Sequence, residues 1–147
     1  VMRLYHQSSH LGDEFILGYP GINRVNLSYE DLKILASYEW ERWRVYGGGG
    51  YILNSEPDLA PKHLQGGVEY IKARVADRLS LIAAADIQAS EELDWRRSRS
   101  YQVGFELRSG SPRRARLMLE HFRGHSPNGQ FYREPLRYTG LGLYFGF

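Results

Sequence analysis

His6 and Ser8 stand two residues apart in the run Tyr5-His6-Gln7-Ser8-Ser9-His10-Leu11-Gly12-Asp13-Glu14-Phe15. In an extended chain both side chains leave the same face. A serine hydroxyl becomes a nucleophile when a neighbouring base takes its proton, and the base needs a third group to fix its tautomer. Ser8 is the candidate nucleophile and His6 the candidate base. Asn23 fills the third role if residues 1–8 and 23–40 pair as a hairpin; Glu14 is the nearest carboxylate for it. The chemistry would be ester hydrolysis. Asp13, Glu14, His6 and His10 could also gather around a cation: the oxygen ligands would suit Ca²⁺ and the imidazoles zinc. The plainer expectation for the same residues is a polar, solvated rim.

Other groups that could carry chemistry are weaker. His121 and His125 flank Arg123-Gly124 and belong at a rim rather than around a metal. Gly47–Gly50 is followed by neither Lys-Ser nor Lys-Thr, so it is no phosphate loop. In a strand such a run marks close packing or a bend. Arg96, Arg97 and Arg99 cluster at an outer loop, where guanidinium groups can bind lipopolysaccharide phosphates bidentately, although a solvated loop is the plainer expectation.

The elements that must position these residues are strands. Tyr101, Val103, Phe105 and Leu107 alternate with Gln102, Gly104, Glu106 and Arg108. The same period of two recurs at 79–88, 64–70 and 115–120, and at Val25, Leu27 and Tyr29 against Arg24, Asn26 and Ser28. That parity places Asn23 with Val25, Leu27 and Tyr29 on the outer face. Eight strands are expected, at 1–8, 23–40 (with a bulge), 43–53, 63–73, 79–90, 99–108, 114–123 and 138–147. Long polar connections alternate with short turns near 41–42, 74–78 and 109–113, as in an up-and-down meander.

Composition narrows the class. The 147 residues hold 11 Tyr, 6 Phe and 16 Gly, no Cys, and 19 basic against 17 acidic side chains. Zero Cys excludes a disulfide scaffold and thiolate zinc. A net charge of +2 argues against a nucleic-acid partner. No apolar run approaches the roughly 20 residues of a spanning helix, and no secretory leader is expected within these residues. Strands need only every second residue to be apolar.

The last strand decides the class. Leu141, Leu143, Phe145 and Phe147 share one face, and Gly140, Gly142, Tyr144 and Gly146 the other. A terminal aromatic after alternating apolar residues resembles the signal read by the bacterial barrel-insertion machinery. The expected fold is therefore all-β: an antiparallel up-and-down β-barrel of outer-membrane type, one domain over 1–147. Val1 opens in mid-strand, so these residues are expected to be the C-terminal part of a larger barrel. Arg24, Ser28, Arg44, Glu69, Asp86, Gln88, Glu106, Arg108, Arg116 and Glu120 form the inward set, with charges of both signs that can pair and plug a lumen. Trp40, Trp43, Tyr46 and Tyr51 are assigned to an aromatic girdle.

Two local resemblances concern the first hairpin. His6-Gln7-Ser8 with Asn23-Arg24 resembles outer-membrane phospholipase A, whose triad lies on the outer barrel face. Ser9 departs from the Asn of that pattern, and the Ser-to-Asn spacing is longer. His6 and Ser8 with a Glu resemble lipid A deacylase. A broader resemblance runs nearly end to end. Residues 6–15, 24–30, 46–51, 126–132 and 140–145 are similar to the bacterial envelope family called domain of unknown function 1207. It implies a Gram-negative envelope protein and no particular reaction. Three functions follow as expectations: a structural or accessory outer-membrane barrel; a phospholipid or lipid A ester hydrolase, with Ca²⁺ as cofactor; and a small-solute channel. The expected partners are outer-membrane lipids, lipopolysaccharide and the insertion machinery.

Overall fold

The computed structural model describes residues 1–9, 17–18, 21, 25–76, 78–108 and 113–146. Eight strands follow one another: β1 Met2–Ser9, β2 Leu27–Trp40, β3 Trp43–Glu56, β4 Lys62–Ala76, β5 Leu79–Ser90, β6 Arg97–Arg108, β7 Arg114–His125 and β8 Pro135–Gly146. Each pairs antiparallel with the next, so the sheet runs in spatial order from β1 to β8. It curls into a half-barrel, and β1 and β8 each have one strand neighbour among the described residues. The expected segments and the observed strands agree to within a few residues at each end.

The short connections lie at one end. At Glu41-Arg42 the chain reverses in two residues between paired Trp40 and Trp43, with Glu41 in the left-handed region at φ 52°. The long connections lie at the other end. Two carry 3₁₀ turns, Glu91–Leu93 and Gly129–Phe131.

The alternation sorts side chains by polarity in an unusual sense. Leu141, Leu143 and Phe145 on the outer face of β8 are 76%, 60% and 65% exposed. Val103, Phe105, Leu107, Leu117 and Leu119 stand exposed beside them on β6 and β7. The side chains with no exposed surface include Asp31 and Glu106, both on the inner face. Among the described residues the buried hydrophobic side chains are Leu27, Ile82 and Met118.

Two expectations about facing fail. Leu27 and Tyr29 point inward and Ser28 outward, the reverse of the expected parity. Ser28 pairs with Ser8 on the outer face, whereas Tyr29 donates its hydroxyl hydrogen to Gln7 Oε1 at 2.8 Å inside. The parity of β2 is set by Leu32 and Ile34, paired with Leu4 and Met2. The apolar Leu27 serves a different purpose: it packs under Gly129 at the long-loop end. Tyr46 is the second miss. It belongs to the interior, not to the girdle, because its hydroxyl reaches Asp86. Trp40 and Trp43 do face outward and stack with ring centroids 6.2 Å apart.

Candidate functional site

The first hairpin places His6 and Ser8 as the alternation requires. Both are exposed on the outer face, with Met2 and Leu4 further along the same face. Neither side chain is hydrogen-bonded to another described residue. The register then supplies a residue that the sequence did not single out. His6 is paired with Glu30, and Ser8 with Ser28. Cross-strand partners share a face with Cβ atoms about 5 Å apart. The carboxylate beside His6 is therefore Glu30, which is exposed. Asn23, Asp13 and Glu14 lie outside the described residues. Among the described residues, no group of three or more His, Cys, Asp or Glu is placed to hold a metal ion.

The concave face is the second site. A cavity of about 850 Å³ opens along it toward the long loops. Its floor is a network spanning several strands. His63 on β4 lies over Gly50 of β3 and holds Asp31 Oδ1 of β2 at 2.7 Å. Asp31 Oδ2 is buried without a hydrogen-bond partner among the described residues. Tyr46 on β3 lies over Gly67 of β4 and donates to Asp86 Oδ2 of β5 at 2.5 Å. Gln65 and Gln88 donate to the same carboxylate at 2.8 and 2.9 Å. In both crossings the bridged residue is glycine, and a Cβ there would collide with the ring above it.

Nearer the short turns ion pairs cross the interior beside a smaller cavity of about 270 Å³ lined by Glu69, Arg116, Met118 and Tyr144. Glu106 is fully buried between Arg108 and Arg116, with Arg116 Nε 2.5 Å from its Oε2. Arg116 also stands 3.5 Å from Glu69. Glu120 accepts hydrogen bonds from Ser100 at 2.5 Å and Tyr138 at 3.2 Å. Of the charges expected inside, Glu69, Glu106, Arg108 and Arg116 pair with one another, whereas Asp86 and Glu120 are held by uncharged donors and Arg24 lies outside the described residues. Glu69, Glu106, Arg108 and Arg116 thus form one linked charge cluster below the cavity.

Glu92 ties the long loops together. Its carboxylate accepts from the Ala60 N–H at 2.9 Å, the Tyr132 hydroxyl at 3.1 Å and Arg133 at 2.6 Å. Those partners come from the connections after β3 and β7. Burial alone would raise the Glu92 carboxyl, but the three donors together hold it below the ordinary carboxylate range. Burial and the neighbouring Glu92 push the Tyr132 phenol up. The same roof reaches the first hairpin: Val25 N–H donates to Gln130 at 2.9 Å, and Gly129 sits so close to Ser9 that a methyl there would meet its Cβ at 2.6 Å.

The family model described as a protein of unknown function (DUF1207) matches residues 1–147. The chain belongs to the DUF1207 family. No curated protein and no solved structure matches it. The likeness of the first hairpin to phospholipase A and lipid A deacylase has no support from those comparisons. What the DUF1207 chain shows is a barrel-like sheet, greasy outside and charged inside.

Proposed function

We propose that this DUF1207 chain forms the wall of an outer-membrane β-barrel with a charged, ion-paired interior, in a structural or accessory role. The observation that carries the reading is the exposed outer face. Leaving Val103, Phe105, Leu107, Leu117, Leu119, Leu141, Leu143 and Phe145 about half in water forfeits roughly 1 kcal/mol each, or about 8 kcal/mol together. That rivals the whole stability of a typical domain, about 5–15 kcal/mol. Against acyl chains the same face costs nothing. Strands of 12 residues, at about 3.3 Å per residue and tilted by about 45°, cross a hydrocarbon layer of about 30 Å. Lipid also demands that no backbone edge stay open, so the outer edges of β1 and β8 are covered in the bilayer by further strands or by a second copy. The ion pairs that cross the interior, Glu106 with Arg108 and Arg116 and Glu69 with Arg116, weigh against an open channel.

The test is lipid contact. In vesicles of brominated phosphatidylcholine, single-Trp proteins retaining Trp40 or Trp43 should lose most of their fluorescence. Emission that bromine leaves untouched would remove the reading.

A second reading keeps the hydrolase. Glu30 opposite His6, with Ser8 free on the same face, completes a nucleophile, a base and an orienting carboxylate where acyl esters would lie. In that reaction Ser8 Oγ attacks the ester carbonyl, His6 takes the serine proton and passes it to the leaving alkoxide, and Glu30 holds the imidazole; water deprotonated by His6 then cleaves the Ser8 acyl ester, releasing the fatty acid and restoring the hydroxyl. Fatty-acid release by the protein in micelles that disappears in Ser8→Ala, and in His6→Ala, would support it. Release unchanged by both substitutions would end it.

A further inference from the structure

Arg99, Arg123 and Arg137 form one row across three adjacent strands: Arg99 is registered with Arg123, and Arg123 with Arg137. They have the outward parity of Val103, Leu119 and Leu141. Arg97 is two residues along from Arg99 on that face. All four are exposed. No ion pair or side-chain hydrogen bond joins any of them to another described residue. Arg108, Arg116 and Arg133, by contrast, each hold a glutamate. Like charges directly opposite one another weaken a sheet. An anion lying across the row would turn that repulsion into binding.

The rows below it show what kind of anion fits. Next toward the short turns come Tyr101, His121 and Thr139, with His121 Nδ1 and Thr139 Oγ1 2.8 Å apart. Then come Val103, Leu119 and Leu141, and after them Phe105, Leu117 and Leu143. Read from the long-loop end, the face is cationic, then polar, then apolar. A phosphorylated acyl lipid has the same order along its length. Three guanidinium groups over two strand spacings, about 9–10 Å, exceed what one phosphodiester can engage.

We propose that this outer face binds a bis-phosphorylated glycolipid. Its phosphates take bidentate hydrogen bonds from Arg99, Arg123 and Arg137, its sugar lies along Tyr101, His121 and Thr139, and its acyl chains cover the Leu, Val and Phe rows. The inference rests on the membrane reading above and gives the wall a specific lipid neighbour. It also assigns the long-loop end to the leaflet that carries this lipid.

The full-length protein, floated with neutral phosphatidylcholine vesicles, is offered lipid A with both phosphates, the same lipid after phosphatase treatment, or phosphatidylglycerol. Retained glycolipid is then measured by mass spectrometry. The parent should retain the bis-phosphorylated form about tenfold over the other two. The Arg99→Gln, Arg123→Gln, Arg137→Gln triple variant should float equally well and lose the preference. Should the triple variant misfold, Arg123→Gln alone should lower the ratio severalfold, and Arg123→Lys should not restore it fully. Equal retention of all three lipids by the parent overturns the inference, as does a folded triple variant with parental preference. A parent that fails to float with neutral vesicles refutes the membrane reading itself, which separates the two failures.

Discussion

His63 reaches Asp31 from two strands away, with Nε2 2.7 Å from Oδ1, because Gly50 between them has no side chain. Asp31 has no exposed surface and His63 is 19% exposed. The same arrangement recurs where Tyr46 crosses Gly67 to Asp86. Glycine in the wall thus lets long side chains lie flat and couple alternate strands.

Gly50→Ala should therefore break the His63–Asp31 contact without altering either partner. Stranding a buried carboxylate costs about 3 kcal/mol. Gly47→Ala is the control, since the nearest atom to its Cβ would be Gln65 O at 3.8 Å. Urea unfolding in detergent should show a large loss for the first and little change for the second.

At Asp86 three donors share the carboxylate, so losing one is milder. Tyr46→Phe should cost about 1–2 kcal/mol, because Gln65 and Gln88 remain. Gly67→Ala displaces the whole ring and should cost more than Tyr46→Phe by the same unfolding measurement.

Arg116 serves two glutamates. Arg116→Met leaves buried Glu106 with Arg108 alone and should cost about 3 kcal/mol. Adding Glu106→Leu removes the stranded charge, and the double variant should recover much of that loss. Arg108 tolerates the change, being 57% exposed. A double-mutant cycle showing simple additivity would mean that the two side chains do not act as a pair.

Glu92 makes the roof sensitive to acid. Its carboxyl is held below the ordinary value of 4.5, so the ionised form favours the closed loops. That stabilisation is complete above the ordinary value and is lost as pH falls through the lower folded value. Relative to its intrinsic rate at each pH, hydrogen exchange at the Ala60 amide should accelerate across this acidic window. In Glu92→Gln the acceleration across that window should vanish.

Much of the wall was legible in the residues themselves. Where every second residue faces one environment, as in β5 to β8, period two gives both the strand and its facing. It misleads where the interior changes character. Leu27 is apolar because it packs under the Gly129 loop, and Tyr29 because its ring meets Tyr5 of β1 inside; local alternation cannot separate either from lipid contact. Glu30 and His63 escaped notice for a different reason. Their partners are set by register across a hairpin or over an intervening strand, which no local pattern encodes. Glycine at Gly50 and Gly67, on the inner parity of β3 and β4, was the available sign that something lies across them. The arginine row was half visible: Arg97 and Arg99 stand two residues apart in the chain, whereas Arg123 and Arg137 join them only through pairing.

The central claim is that the outer face touches acyl chains, and the absence of Cys makes it directly measurable. Single cysteines at Ser100, Tyr101, Gln102, Val103 and Phe105, each carrying a polarity-sensitive fluorophore, would be read in vesicles containing spin-labelled lipid. Quenching and blue shift should alternate, strong at Tyr101, Val103 and Phe105 and weak at Ser100 and Gln102. A uniform aqueous signal at all five, or the opposite alternation, would contradict the account.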